Sequence, residues 1–309
     1  MIRRAAIFVL SLAALSLAAP LLAPYDAGAG FRDYLHAPPM PPRFQGLAAP
    51  AVYPLVLADR LEQRFEPDPT RTLPLPWLGG AGGQPVFLLG ADNFGRDVLS
   101  RLLYGARTSV GLALFATLGA VVIGVFAGAW AGLRGGWVDD AIMRVADFVL
   151  ILPVIYVVLV LRAVLPLVLP ATTVFLLVAG IFVAVGWPFV ARGVRAIVAV
   201  ERDREYVLAA RSIGAGQGRI LLHHLVPACY GHLVVQAALL LPGFILAEAT
   251  LSFVGLGFPD PVASWGTMLA EAGNYNAVAR FPWTLAPAVA IFAIVLATNL
   301  IASPIDRKS

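Results

Sequence analysis

The chain has 309 residues, of which 60% are hydrophobic and 13% charged, and its mean hydropathy is +0.83. Soluble domains average about 45–50% apolar and about 25% charged residues, so this composition excludes a single soluble domain and indicates a membrane protein. Cys229 is the only cysteine, which excludes an intrachain disulfide and a multi-cysteine metal site. Of the 22 basic residues only Lys308 is a lysine, so the chain has no Gly-Lys-Ser/Thr motif of the kind that ATP-binding P-loops require.

Common catalytic and metal-binding motifs are also missing from the sequence. No serine lies in a Gly-x-Ser-x-Gly frame, and no His-Glu-x-x-His spacing occurs among the histidines His36, His223, His224 and His232. We therefore predict no catalytic residue and no metal ligand.

Six apolar stretches are long enough to cross a bilayer as helices, since about 20 apolar residues span a hydrocarbon core about 30 Å thick. They run approximately over Ala5–Ala23, Thr108–Leu133, Ile142–Val164, Ala171–Val190, Leu233–Gly255 and Trp283–Ile301. We predict an all-α membrane protein with six transmembrane helices, one N-terminal and five in a core. The first stretch follows Arg3 and Arg4 and is either an uncleaved anchor, which the position of Pro24 favours, or a cleavable signal peptide.

The arginines of the short loops predict the orientation of the chain. With both termini in the cytoplasm, the positive-inside rule is met by Arg134, Arg144, the stretch 192–219, Arg307 and Lys308. The expected organisation is an anchor over 1–24, an external loop over 25–107, a transmembrane core over 108–304 and a cytoplasmic tail over 305–309.

The external loop carries two predicted helices. Eleven of the 24 prolines lie between Tyr25 and Pro85, which predicts mostly extended or turn structure there. Apolar residues at i, i+4 and i+8 predict a short amphipathic helix over Leu55–Phe65, as either a spacer or a docking surface for a partner. A second amphipathic helix over 94–107, capped by Asp92 or Asn93, is expected to lie in the membrane interface without crossing it.

The second span has a small residue at every fourth position: Ala116, Ala120, Gly124, Gly128 and Gly132. In a bilayer, tandem small-xxx-small units allow close approach of helix backbones. We predict that Gly124, Gly128 and Gly132 pack against another helix.

Charged residues inside the spans are few and need partners or a wet cavity. We expect Arg144 and Asp147, one turn apart, to form a local ion pair, and Arg162 to extend towards the membrane surface. Glu248 has no obvious local partner. It either lines a translocation path or is hydrogen-bonded to a neighbouring helix.

The loop between the fourth and fifth spans is long and polar. Asp203 is predicted to cap a short helix that runs to Ile213, with Gly214 as its left-handed C-cap. A second helix is expected over 217–226, stopped by Pro227. Four residues of the first helix suit insertion into a groove of another protein: Tyr206, Ala209, Ala210 and Ile213.

Three motifs resemble those of known transport proteins. The loop resembles the EAA loop of ABC importer permeases at Leu208-Ala209-Ala210, Gly214, His224, Val226 and Pro227, with leucine in place of the usual glutamate at position 208. Gly90–Arg107 is similar to GTDxxGRDVLSRLLYGAR of the dipeptide/oligopeptide/nickel family. Glu248–Gly257 followed by Trp265–Leu269 is similar to ExxLSFLGLG…WGxML of that family's second-permease type.

This resemblance implies a permease subunit of an ATP-driven importer in the bacterial inner membrane, for peptides or related small solutes. The implied partners are a second homologous permease, two cytoplasmic P-loop ATPase subunits, an external substrate-binding protein and membrane lipid, but no nucleic acid. No cofactor is expected on this chain, since ATP and magnesium would be used by the ATPase subunits. The implied coupling residues are Asp203, Tyr206, Ala209, Ala210, Arg211, Ile213 and Gly214, and those of a path or gate are Glu248, Ser252, Gly255 and Gly257.

Other classes of function remain open at this point. A secondary transporter or channel would work without ATPase subunits. A membrane-embedded enzyme or an assembly scaffold fits the sequence less well, because no nucleophile–base pair is present and a scaffold leaves the 203–227 loop unexplained.

Overall fold

The computed structural model describes residues 11, 14, 16–43, 50–60, 62–75, 84–153, 156–157, 160, 169–273 and 275–306. These residues are mostly helical and belong to two compact units. The first unit contains Leu112–Glu248 and the residues from Ile294 onward, and the second contains Ser11–Gly111 and Ala249–Ala293.

The helices are numbered in chain order. They are α1 (Ala19–Leu22), α2 (Val98–Arg134), α3 (Gly136–Ile151), α4 (Ala171–Glu201), α5 (Glu205–Ser212), α6 (Gln217–Ile220), α7 (Val226–Ala228), α8 (Tyr230–Phe253), α9 (Trp265–Glu271), α10 (Tyr275–Arg280) and α11 (Ala286–Asp306). A π-helix over Leu221–Leu225 joins α6 to α7, and a 3-10 helix over Pro282–Leu285 precedes α11.

Within the described ranges, four helical segments are long and apolar enough to cross a membrane: Val98–Arg134, Ala171–Glu201, Tyr230–Phe253 and Pro282–Leu300. Residues 5–10, 12, 13 and 15 of the predicted first span lie outside the described residues, as do Arg162 and much of the second half of the predicted third span. The third span is not one helix over Ile142–Val164, because α3 begins at Gly136 and ends at Ile151. Leu152 is extended (φ −72°, ψ 118°), as expected for a residue that precedes a proline.

The segment predicted to lie in the membrane interface is instead the first part of α2, which continues to Arg134 without a break. The predicted cap is also wrong, because Asp97 performs that role by accepting hydrogen bonds from Ser100 N (2.7 Å) and Ser100 Oγ (2.6 Å). The polar residues of this segment are buried in the second unit: Arg96, Asp97, Ser100 and Arg101. A polar helix face need not meet water when the protein supplies partners for it.

The loop predicted to be external contains strands, so the prediction of an all-α protein is wrong in this region. Strand β1 (Ala51–Val52) pairs antiparallel with β4 (Leu73–Pro74), and β2 (Leu55–Asp59) pairs antiparallel with β3 (Arg64–Pro67). The β2–β3 hairpin replaces the predicted amphipathic helix. Leu57 and Phe65 do become neighbours, but they face each other across the hairpin and not along a helix.

The second unit has an apolar core beneath these strands. Its buried members include Met40, Val52, Val86 and Phe87. Edge-to-face aromatic contacts reinforce the core, since the Phe31 ring lies 5.2 Å from Tyr25 and 5.6 Å from Phe87. The proline-rich loop is therefore a folded part of the second unit.

In the first unit the stripe of glycines on α2 lies directly against α4. A Cβ at Gly124 would be 2.8 Å from the carbonyl oxygen of Trp187, and one at Gly128 would be 2.9 Å from Cα of Ala191. At Gly132 it would be 2.7 Å from the carbonyl oxygen of Arg195. Only glycine fits such backbone contacts, so the two helices pack as closely as their backbones allow.

Ion pairs join α3 to α4 in the same unit. Asp147 pairs with Arg192, and Asp139 pairs with Arg195 through two of its guanidinium nitrogens. The predicted local pair between Arg144 and Asp147 is therefore wrong. The basic partner of Asp147 comes from α4, and spacing within α3 alone could not predict it.

Candidate functional site

The helix predicted to bind a partner protein is α5. It begins at Glu205 after an extended Arg204, with no side-chain cap. Asp203, predicted as the cap, instead lies near Arg202, with 3.6 Å between its Oδ2 and the Arg202 Nε. That prediction was wrong because the helix begins one residue later than the spacing suggested.

Gly214 ends α5 as predicted. Its φ is +85°, and the chain makes both hydrogen bonds of a Schellman motif. The Gly214 amide donates to the Arg211 carbonyl (2.9 Å) and the Ala215 amide donates to the Ala210 carbonyl (3.0 Å). The left-handed conformation explains why a glycine occupies this position.

The two faces of α5 differ in exposure. Val207 and Ala210 are buried in an apolar cluster with residues of α2, α4 and the π-helix, including Ala129, Val194, Val198 and Leu225. Tyr206, Ala209, Arg211 and Ile213 are exposed, and Ile213 is 87% exposed. Ala210 therefore anchors α5 within the unit, whereas the sequence had placed it on the partner-facing surface.

Tyr206 ties the start of α5 to the end of α4. Its hydroxyl donates a hydrogen bond of 2.7 Å to Oε2 of Glu201. This hydrogen bond raises the pKa of Tyr206, because the carboxylate favours the protonated phenol. Together with the buried face of α5, this hydrogen bond connects α5 to the end of α4.

The helical structure after α5 continues past Pro227. It runs through α6, the π-helix and α7 into α8, and the Val226 amide bonds to the Leu221 carbonyl in the π pattern. Such a wide turn opens the ladder of hydrogen bonds, so that a proline can follow without ending the helical path. The prediction of a helix stopped by Pro227 is wrong for this reason.

The residues predicted for a path or gate lie at the end of α8 and beyond it. Glu248 and Ser252 are buried in the helix. Gly255 (φ +79°) forms a second Schellman motif, in which the Leu256 amide donates to the Leu251 carbonyl at 2.8 Å. A Cβ at Gly257 would lie 2.7 Å from Cα of Ser252. Both glycines thus have a local structural role in turning the chain back against the helix end.

The second unit contains a buried charge cluster around two arginines. The Arg96 guanidinium contacts Oδ2 of Asp92 (2.7 Å), Oδ1 of Asp260 (2.9 Å) and Oε1 of Glu271 (2.9 Å). Arg101 contacts the same Glu271 oxygen at 2.8 Å and Asp92 at 3.2 Å. The cluster connects the 90–97 turn and α2 with the 256–264 loop and α9.

Acidic groups outnumber basic groups in and beside this cluster. Two guanidiniums meet the carboxyl groups of Asp92, Asp260 and Glu271, and Asp97 lies close by. Burial raises the pKa of Asp97 to about 6, although hydrogen bonds from Ser100 act in the opposite direction. Burial likewise raises the pKa of Glu271 to about 7, and Arg101 offsets part of this effect. At pH values between the ordinary and the raised pKa of these two carboxyl groups, the folded chain therefore binds protons that the unfolded chain has released.

The chain matches the family model described as binding-protein-dependent transport system inner membrane component over residues 98–308. It is 34% identical over 295 residues to the di/tripeptide transport system permease protein DppC of Pseudomonas aeruginosa, covering 95% of this chain and 82% of that protein. The dipeptide transport system permease protein DppC of Haemophilus influenzae is 35% identical over 228 residues, or 74% of each chain.

The chain belongs to this family. It is a membrane permease subunit of an ABC importer, not an enzyme, and the family implies that it works with ATPase subunits and another permease. Among solved structures, a chain of the inward-facing methionine ABC transporter MetNI has a TM-score of 0.49 and 19% identity, covering 67% of this chain and 97% of that chain.

The charge cluster of the permease was not predicted from the sequence. The run from Asp92 to Arg101 was assigned to a helix face in the interface, and Asp260 and Glu271 were not singled out. One signal was present: four charged residues, Asp92, Arg96, Asp97 and Arg101, lie within ten residues just before an apolar span. Buried charges require partners, so this run predicts oppositely charged residues elsewhere in the permease that contact it.

Asp97→Asn tests the protonation of this region. Because the pKa of Asp97 is raised from 3.8 to about 6, the folded state binds more protons than the unfolded state between those pH values. The stability of the wild type should therefore fall as pH rises through that window, and Glu271 extends the fall to about pH 7. As the pH rises from 4 to 7, the free energy of unfolding of Asp97→Asn should increase relative to that of the wild type by on the order of 1–3 kcal/mol. Thermal unfolding of both proteins across this range measures the difference, and parallel curves would contradict the assignment.

Proposed function

We propose that this permease moves peptides across the bacterial inner membrane. The relatives named above are di/tripeptide and dipeptide permeases, and the similarity to the former extends over nearly the whole chain. A second homologous permease would complete the pathway. Two cytoplasmic ATPase subunits would supply ATP and magnesium chemistry, and an external binding protein would deliver the peptide.

We further propose six membrane crossings with both termini in the cytoplasm. Four of the crossings correspond to the long apolar helices of the described residues, and the other two to the N-terminal stretch and to the stretch that begins within α3. The arginines near α5 and at the chain ends support this orientation. It places residues 25–97 on the external side of the inner membrane and α5 on the cytoplasmic side.

The observation that carries the coupling proposal is the two-faced packing of α5. Its exposed face offers Tyr206, Ala209, Arg211 and Ile213 to a cleft of an ATPase subunit. Its buried face is fixed to α2 and α4 through Val207 and Ala210. Closure of the ATPase pair on ATP would therefore move these helices as one body and switch access from one side of the membrane to the other.

Gly214→Val tests this coupling. A β-branched residue at φ +85° strains the backbone by on the order of 1–3 kcal/mol and reorients the exposed Ile213. We expect reduced ATPase binding and a similar loss of ATP-driven uptake. Gly218→Val is the matched control, because Gly218 has open space around it and an ordinary φ. Wild-type binding and uptake in Gly214→Val would contradict a coupling role.

Glu248 is proposed to line the path. Glu248→Gln keeps the shape of this buried side chain and removes its charge, so we expect slower peptide uptake by complexes that assemble normally. Uptake in proteoliposomes measures the change, with subunit stoichiometry as the control. Wild-type uptake by Glu248→Gln would restrict Glu248 to helix packing.

A further inference from the structure

The second unit has a surface cavity of about 220 Å³ that plays no part in the transport mechanism described above. It lies between the turn at residues 32–35 and the β2–β3 hairpin. Two arginines, one aspartate and several apolar side chains line it, among them Arg32, Asp33, Arg60, Leu35, Leu57 and Phe65. The family match begins only at residue 98, so the cavity belongs to a part of the chain that the family model does not cover.

The arginines of residues 25–97 divide into two groups. Four have partners: Arg64 with Glu66, Arg71 with Asp68, Arg96 in the buried cluster, and Arg43 over the Tyr53 ring at 4.8 Å. Within the described part of the chain, neither Arg32 nor Arg60 has an ion pair with a carboxylate or a contact with an aromatic ring. These two guanidiniums both line the cavity.

The remaining lining favours a negatively charged protein side chain as the occupant. With two arginines and Asp33, the lining has a net charge of +1. Its apolar part is well supported, because Leu57 faces Phe65 across the hairpin and the Phe65 ring stacks on Tyr34 with 6.0 Å between centroids. Leu57 is still 41% exposed. An apolar surface beside these guanidiniums suits a carboxylate-bearing partner, because arginine forms strong bidentate hydrogen bonds with carboxylates and is enriched at protein interfaces.

We propose that this cavity is a docking site for the importer's substrate-binding protein, which inserts an acidic side chain between Arg32 and Arg60. This inference rests on the proposed function, which puts residues 25–97 and the binding protein on the same side of the membrane. Arginine is suited to the contact, since its planar guanidinium binds carboxylates in a fixed geometry. The cavity would align the binding protein with the permease pair before the peptide is released.

The test uses the complete importer in lipid nanodiscs and its purified binding protein. We compare the wild type with Arg32→Glu/Arg60→Glu and measure the Kd at low and high salt. The matched control is Arg64→Glu/Arg71→Glu, which changes the charge of the same unit equally at arginines that already have partners. Reversal of both cavity charges should weaken binding by about tenfold or more and reduce its dependence on salt. The control should change the Kd by less than about twofold.

The outcomes separate this proposal from the proposed function. If the binding protein binds the wild type and both double variants equally, the docking site is wrong and the transport function stands. Equal weakening in both double variants would also overturn the site, since it would reflect general charge alone. Loss of the second permease from Arg32→Glu/Arg60→Glu complexes, with an unchanged Kd, would assign the cavity to that subunit. If the wild type neither binds the protein nor is stimulated by it, both proposals fail.

Discussion

Arg96→Gln should cause the largest loss of stability among single substitutions in the second unit. Arg96 is almost fully buried and contacts three carboxylates, those of Asp92, Asp260 and Glu271. Glutamine is uncharged and too short to contact all three, so the buried carboxyl groups of Asp92 and Glu271 lose one of the two guanidiniums that contact them. Removing one partner of a buried ion pair typically costs about 3–5 kcal/mol. We therefore expect a much lower thermal midpoint and no uptake.

Arg64→Gln is the control for this substitution. The Arg64–Glu66 pair is exposed on the hairpin, and exposed pairs contribute only about 0.2–1 kcal/mol. Arg96→Lys should recover little of the loss, because an ammonium group cannot reach three carboxylates as a guanidinium does. A thermal midpoint of Arg96→Gln equal to that of Arg64→Gln would show that the cluster does not hold the unit together.

Gly128→Val should cause the largest loss in the first unit. A Cβ at this position would be 2.9 Å from Cα of Ala191, with the Ala191 carbonyl oxygen closer still. Both atoms belong to the backbone of α4 and cannot move aside as a side chain can. Overpacking in a well-packed interior costs about 1–3 kcal/mol, and separation of α2 from α4 would add the loss of neighbouring contacts.

The matched control for Gly128→Val is Gly180→Val on α4. A Cβ at Gly180 meets nothing within 4 Å, so the same change in helix propensity occurs there without the clash. The thermal midpoint of the purified complex should fall for Gly128→Val and stay near that of the wild type for Gly180→Val. Equal stability of the two variants would contradict direct backbone packing.

The sequence was informative where a short pattern determines the contact. Small residues at every fourth position form one helix face that another helix can approach closely. Gly124, Gly128 and Gly132 do lie against α4. Gly214 was equally predictable, because a glycine after a short helix is the usual signal of a left-handed cap. Both features depend on a few neighbouring residues and on steric limits that hold in every fold.

Prediction failed where distant segments decide the structure. Leu57 and Phe65 have helical spacing, yet the same two residues also meet across a hairpin. The hairpin is favoured by a core that contains Leu55 and packs against Phe65. Arg96 carries the same charge whether it faces water or carboxylates from 260 and 271, some 170 residues away. Ala210 faces inward because α2 and the π-helix cover it. Local periodicity contains no information about such partners.

The proposed mechanism requires a permease that works only with ATPase subunits bound through α5. The decisive measurement is uptake of a labelled dipeptide into proteoliposomes that contain the permease pair, with and without the ATPase subunits, in the presence of the binding protein and ATP. We predict uptake only when the ATPase subunits are present, and its loss in Gly214→Val but not in Gly218→Val. Uptake by the permease pair without ATPase subunits would show a secondary transporter or channel and would contradict this mechanism.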